Sequence, residues 1–322
     1  MTLSILADIG GTNTRVALAQ GAQVLPDSIA RYSNADYKAQ GKDIADILAD
    51  YLQSSARTVE GVCVAAAGPV QDGVATMTNL DWVMDAAKLC AATGAEHVAI
   101  LNDLQAQGQA LGHIATDKLR PVISGPTAPG AMLVVGLGTG VNAAPVHGTG
   151  AARVVPASEC GHVNMPIRCE EDLALMRFVE SLLTNRDEVA HCGVEEVLSG
   201  RGLANLYAFA TRNPNSTTTS AQIFAALDQG APEARHAARL YTRILAQTLA
   251  DLALIHLPYG GIYLIGGMAR AMTPHFAAHD LGPTFRESRR VDLLEKQFSV
   301  TVVEDDFAAL TGCAAYLHAQ MS

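Results

Sequence analysis

Apolar residues fall along this chain in two alternating rhythms. Short runs bounded by glycine read as strands, and longer stretches with an apolar residue every three or four positions read as helices. Residues 3–9 and 15–19 predict a first pair of strands on either side of a Gly-Gly-Thr turn. Ile44, Ile47, Leu48, Tyr51 and Leu52 recur at helical spacing and predict an amphipathic helix over 38–54. Residues 59–67 read as a buried strand ended by Gly68-Pro69, and 97–101 as a short strand followed by a helix that begins near Asp103. A second strand pair, 132–137 and 141–146, flanks another Gly-rich turn. From Glu170 to about Pro258 the pattern is mainly helical, and Leu240, Ile244, Leu245, Leu249, Leu252 and Ile255 mark its last helix. Strands at 261–265 and 299–304 and a helix at 306–318 close the pattern, while Asn213-Pro214-Asn215-Ser216 reads as a polar loop. Strands alternating with helices, without a sustained repeat or a long linker, predict an α/β fold.

Charge changes this picture in one place. Only 17% of the 322 residues are charged, against about 25% in an average protein, and from Pro121 to Ala152 there is no Asp, Glu, Lys or Arg. The run holds four prolines and seven glycines, so it cannot be a spanning helix. A second uncharged stretch, 252–269, is cut by Pro258-Tyr259-Gly260-Gly261 and fails in the same way. The first residues lack a basic segment, and Asp8 interrupts any apolar one, so no secretory signal is expected. Six scattered cysteines suggest reduced thiols in the cytoplasm rather than a disulfide framework. A net charge of −10 offers no footprint for nucleic acid or an anionic membrane. At roughly 100–200 residues per domain, the length suggests two domains.

The candidate chemistry begins with an internal echo. Strand, glycine-and-threonine turn, strand occurs at Asp8-Ile9-Gly10-Gly11-Thr12 and again at Gly136-Leu137-Gly138-Thr139-Gly140. Turns of this kind let backbone N–H groups approach phosphate oxygens with no Cβ in the way, although either alone is most simply a tight hairpin. No G-x-x-x-x-G-K-[S/T] string exists, and Val141-Asn142-Ala143-Ala144-Pro145 after the second turn is poor helix, against a dinucleotide fingerprint. Asn102-Asp103 ends an apolar strand; its Asp is either a helix N-cap or a carboxylate placed to take a proton from an alcohol attacking phosphate. Cys160, His162, Cys169 and Cys192 lack the close pairs that structural zinc recruits.

Taken in order, six motifs resemble those of the bacterial glucokinase family, within the actin/hexokinase/Hsp70 fold group, over nearly the full chain. Asp8-Ile9-Gly10-Gly11-Thr12-Asn13-Thr14-Arg15 resembles the first phosphate loop, Leu101-Asn102-Asp103 the catalytic segment, and Gly136-Leu137-Gly138-Thr139-Gly140 the second phosphate loop. Glu159-Cys160-Gly161-His162-Val163 is similar to a sugar-binding motif, Glu195-Glu196-Val197-Leu198-Ser199-Gly200 to a later sugar-contacting stretch, and Gly261-Ile262-Tyr263-Leu264-Ile265-Gly266-Gly267 to the strand and turn beside adenosine. The related repressor/open-reading-frame/kinase family carries a compact cysteine cluster after its sugar-binding His. Here His162 is followed by Val163-Asn164-Met165-Pro166-Ile167-Arg168, so the zinc-free branch fits better.

The resemblance implies two ribonuclease-H-like domains of the actin-like ATPase fold with an active-site cleft between them. Residues 1–112 plus a returning segment 305–322 would form the smaller domain, and 113–304 the larger. ATP would lie between Gly10-Gly11-Thr12-Asn13 and Gly138-Thr139-Gly140, with Gly266 and Gly267 beside the adenosine. Mg²⁺ would bridge phosphates, and Asp8 would reach it through water. Asp103 would be the general base toward the sugar's primary hydroxyl. Asn102, Asp103, Glu159, His162 and Glu195 would bind the sugar, with Asn79 a further candidate. On local chemistry alone Asn102 and Asn79 could equally cap turns, Glu159 and Glu195 could be solvated, and His162 could be structural.

The implied activity is ATP-dependent phosphorylation of glucose at its 6-hydroxyl, giving glucose 6-phosphate and ADP in glycolysis, by a cytoplasmic homodimer that binds neither nucleic acid nor membrane. Mannose, fructose or an amino sugar is the alternative substrate, and a non-catalytic sugar sensor the alternative class. Asp103 speaks for an enzyme, since a sensor needs no base, and the first loop at Asp8 leaves no room for a preceding DNA-binding domain. Cys160 and Asn142 each stand where the family usually has Gly, and Asn164 where Asp is common.

Overall fold

A computed structural model describes residues 3–68, 70, 71, 73–77 and 80–322. By its internal contacts the chain divides into two units, Met1–Thr116 with Val146–Ala157 and Asp305–Ser322, and Asp117–Pro145 with Ser158–Glu304.

The first unit is built on strands β1 (Leu3–Ile9), β2 (Asn13–Gln20), β3 (Gln23–Val24), β4 (Ala30–Ser33), β5 (Gly61–Ala66), β6 (Val70–Gln71), β7 (Val74–Met77), β8 (Trp82–Asp85) and β9 (His97–Asn102). Its main sheet runs β3-β2-β1-β5-β9, with β4 also on β2, while β6, β7 and β8 form a small antiparallel sheet. β1 and β2 are an antiparallel hairpin, and β1, β5 and β9 are parallel. The register puts Ile9, Ala66 and Asn102 on one rung at the carboxyl ends of the parallel strands.

Both faces of this sheet are covered, which is why β1 reads as a nearly continuous apolar run. Ile5, Ala7 and Ile9 pack with Ile44, Ile47, Leu48, Tyr51 and Leu52 of the helix Ile44–Ser55. Leu6, on the opposite face by strand alternation, packs with Leu310, Cys313, Ala314 and Leu317 of the closing helix Ala308–Met321. The helix expected over 38–54 is in fact two, Asn34–Ala39 and Ile44–Ser55. Gly41 takes a positive φ between them, and Asp43 starts the second with a capping box to Ala45 and Asp46. The closing helix crosses the helix Asp103–Ala110 so closely that a Cβ on Gly312 would lie 1.6 Å from the Ala106 carbonyl oxygen. Residues 146–157 pack on that helix as well: Gln105 Nε2 donates to the Val155 carbonyl, and Arg153 Nη1 to those of Gln109 and Leu111.

The second unit carries β10 (Leu119–Ile123), β11 (Met132–Leu137), β12 (Val141–Val146), β13 (Ile262–Ile265) and β14 (Val300–Val303) in the order β10-β14-β13-β11-β12. β11, β13 and β14 are parallel, and Gly136 is opposite Ile265. β10, absent from the sequence reading, is an edge strand whose register shifts between Pro121 and Ile123, a place where proline is tolerated. The helix Pro232–His256 is the centre of this core, burying Leu240, Tyr241, Ile244, Leu245 and Leu249; the Tyr241 hydroxyl donates to the Leu198 carbonyl at 2.8 Å. Among the described residues no helix is long and apolar enough to cross a membrane.

The Gly312 contact yields a direct test. Gly312→Ala is expected to lower unfolding stability in urea by about 3 kcal/mol, the overpacking cost of a methyl forced against backbone. Gly282→Ala, where a Cβ would meet nothing within 4 Å, is expected to change it by less than about 0.5 kcal/mol.

Candidate active site

In the first unit the expected residues gather where β1, β5 and β9 end, the edge at which open α/β sheets bind ligands. Asp8 sits opposite Arg15 in the hairpin, and the Arg15 guanidinium donates to Asp8 Oδ2 at 3.0 Å while lying 6.0 Å from the centre of the Phe307 ring. Burial raises the Asp8 carboxyl above its ordinary range, and Arg15 offsets part of that rise. Gly11 and Thr12 are exposed at the tip of the turn, which closes through a bond from the Gly10 N–H to the Asn13 carbonyl. Asn34, fully buried, fastens this turn from beneath. It donates to the Gly10 carbonyl at 2.8 Å, accepts from Thr14 Oγ1 at 2.7 Å, and its N–H donates to the Thr12 carbonyl.

One rung further along the sheet edge, Asn102 caps the helix that Asp103 begins. Its Oδ1 accepts from the Leu104 N–H, its own N–H donates to Gln105 Oε1, and its Nδ2 donates to the Gly68 carbonyl. Of the pair, Asn102 is the N-cap and Asp103 is the first residue of the helix. Asp103 Oδ1 accepts from the Leu104 N–H at 2.9 Å. Burial, with the like charge of Asp8 adding to it, pushes the Asp103 carboxyl up to about 6. Asn79 lies outside the described residues.

In the second unit β11 and β13 both end in glycine turns. The Gly138 N–H donates to the Gly140 carbonyl, and the Gly200 N–H, at the start of the helix Gly200–Ala210, donates to the Gly138 carbonyl. Gly138 and Gly267 have open space where a Cβ would stand, while a Cβ on Gly266 (φ 110°) would lie 2.2 Å from the Leu137 carbonyl oxygen. A ligand can therefore approach the backbone at Gly138 and Gly267, whereas Gly266 is required by the packing.

The sugar-motif residues are fastened to the residues just past the second turn. Glu195 Oε2 accepts from the Val141 N–H at 2.8 Å, and its Oε1 stands 3.9 Å from Arg201 Nη2. A Cβ on Gly161 would lie 2.0 Å from the Val141 carbonyl oxygen, so the Glu159–Val163 segment is pressed on β12. His191 Nε2 bonds the His162 carbonyl, and the Val194 N–H donates to that of Val163. Glu159 and His162 themselves are exposed. Of the carboxylates expected to meet sugar, Glu159 is thus open, and Glu195 holds the glycine turn with one oxygen.

Asn34 went unread in the sequence, and Gly200 was read there only as the end of the Glu195–Gly200 stretch. Asn34 bonds residues 20 and 24 positions away, and no local pattern signals that. Asn34→Ala is expected to lower stability by about 2 kcal/mol, because Thr14 Oγ1 and the Gly10 carbonyl lose a buried partner. Amide hydrogen exchange at residues 10–12 should accelerate in this variant; unchanged exchange there would show that Asn34 does not hold the turn.

A family model described as Glucokinase matches residues 5–320. The chain is 31% identical over 317 residues to the glucokinase of Brucella abortus biovar 1 (strain 9-941), covering 97% of this chain and 90% of that one. Its fold is similar to that of a glucokinase from an Antarctic psychrotroph, with a TM-score of 0.86 and 25% identity over 99% of each chain. A ROK family glucokinase from Streptomyces griseus, in complex with glucose and AMPPNP, shares the fold at a TM-score of 0.57 and 22% identity, over 97% of this chain and 98% of that one. The match over 5–320 shows that the chain belongs to the glucokinase family and has its actin-like ATPase fold.

Proposed function

We propose that the protein transfers the γ-phosphoryl group of ATP to the 6-hydroxyl of glucose, giving glucose 6-phosphate and ADP. The observation that carries this reading, beside membership of the family, is Asp103: a half-buried carboxylate at a strand end, lifted to about 6. Such a group is a stronger base than an ordinary Asp and is still mostly ionised at neutral pH. It accepts the proton of the sugar hydroxyl as the oxygen–phosphorus bond forms and the bond to the ADP oxygen breaks. The turns Gly10–Asn13 and Gly138–Gly140 are assigned to the phosphates: the Gly10 and Gly138 N–H groups close the turns, and those of Gly11, Thr12, Thr139 and Gly140 are assigned to phosphate oxygens, while Gly267 leaves room for the adenosine. Asn102, Glu159, His162 and Glu195 are assigned to sugar hydroxyls, Glu195 through Oε1, with Asn79 as a further contact.

The residues also fit Mg²⁺. Asp8 provides a hard oxygen donor, and one of its oxygens is taken by Arg15. Among the described residues no three His, Cys, Asp or Glu side chains are grouped to hold an ion. A metal bound mainly by phosphate and water, with Asp8 alone from the protein, matches the preference of Mg²⁺. When bound, it neutralises phosphate charge.

ADP release by the purified protein with ATP, Mg²⁺ and a panel of hexoses tests the reading. Turnover of glucose supports it, turnover of another sugar alone moves the substrate, and no turnover of any hexose sinks it. Asp103→Asn is expected to lower kcat by about a thousandfold or more while glucose binding, measured by calorimetry, changes little. In the wild type kcat/KM should fall about tenfold per unit as pH drops below the Asp103 value of about 6.

Stability should move the opposite way. The folded protein holds Asp103 at a raised value, so ionisation costs stability above about pH 6, and this cost disappears toward pH 4. Asp103→Asn is expected to be roughly 1–2 kcal/mol more stable than wild type at pH 7.5, allowing for partial solvent screening, and no more stable at pH 4. Urea melts at the two pH values check this.

A further inference from the structure

Asn142 lies two residues past the second glycine turn, beside Val141, and its carboxamide is saturated. Oδ1 accepts from the Cys160 N–H at 3.1 Å, from Ser158 Oγ at 3.2 Å and from the Ala143 N–H at 2.8 Å. Nδ2 donates to the Ser158 carbonyl and stands 3.5 Å from Glu159 Oε2. One side chain therefore grips both ends of the Ser158–Cys160 turn and faces the carboxylate between them. We propose that Asn142 is a positioning residue for sugar recognition, aiming Glu159 at the sugar without touching the sugar itself. This rests on the hexose-kinase reading above.

The physical case is one of preorganisation. Glu159 is exposed and precedes only a single short helical turn, Cys160–His162, so nothing in regular secondary structure directs its side chain. A free carboxylate on a long side chain loses rotamer freedom when it binds, and a neighbour that restricts it beforehand lowers that cost. The neighbour must not neutralise it. A Lys or Arg in place of Asn142 would form an ion pair with Glu159 and compete with sugar hydroxyls. A neutral amide donates and leaves the carboxylate's charge available. Residues 121–152 contain no charged side chain at all, so the strand behind Glu159 brings no competing cation of its own.

Steady-state kinetics on the full chain, with glucose and ATP varied separately, test this. Asn142→Ala is expected to raise the KM for glucose about tenfold while kcat and the KM for ATP stay within about twofold. Asn142→Asp keeps the acceptor for Cys160 and Ser158 but loses the donor facing Glu159, and it should raise the glucose KM as much as Ala does. It also decides the matter if the Ala variant does not fold. In a Glu159→Gln background, Asn142→Ala should add less than about twofold, because it acts through that carboxylate. An unchanged glucose KM, equal losses for both substrates, or full multiplicative effects in the double variant would overturn the proposal. A wild-type chain that turns over no hexose overturns the parent reading with it, and this is seen before any variant is compared.

Discussion

Three parallel strands of the first unit stop on a single rung, Ile9–Ala66–Asn102, and the chemistry of that unit depends on this registration. With neighbouring strands about 4.8 Å apart, Asp8 on β1 and Asp103 just beyond β9 come near enough for the charge of one to lift the other. A slip of one residue in β1 would turn Asp8 to the opposite face and leave Arg15 without its partner. The closing helix holds the arrangement from the far end of the chain. It covers the face that Leu6 and Cys63 share, and Gly312 lets it press on the helix that begins at Asp103. A carboxylate strained toward neutrality is thus supported by packing that tolerates no added methyl.

The second unit uses the same device with different contents. β11 and β13 are parallel and in register at Gly136 and Ile265, and each runs into a glycine turn. There the strand ends carry no charge, and Gly138 and Gly267 leave their backbone open instead. The acidic residues stand behind them: Glu195 bonds the Val141 N–H, and Asn142 holds the turn that carries Glu159. Polar side chains are spent on holding loops, and this leaves few of them free to meet ligand. Under the proposed function, that division is how a chain with no lysine of the P-loop kind would offer phosphate a set of fixed donors.

Much of this was legible along the chain, because strand alternation, helical periodicity, glycine turns and helix caps are local. β1, β9, β11, β12 and the helices after Glu170 follow from the spacing of apolar residues. The small sheet of β6, β7 and β8 and the edge strand β10 escaped the reading, being short, half-polar or interrupted by proline. The split of the helix over 38–54 was local too, in Gly41 and Asp43, yet the apolar period across it was stronger.

The sequence by itself determined the element types, the ordered motifs and the absence of charge around the second turn. Only the tertiary structure decided which polar residues hold the loops. Asn34 lies 24 residues from the carbonyl it holds, and Glu195 lies 54 residues from the Val141 N–H. Asn142, which stands along the chain only as a departure from the usual Gly, bonds a turn sixteen residues later. Hydrogen bonds across such separations carry no periodic signal, since their partners meet only when sheet register and helix packing have set the distance.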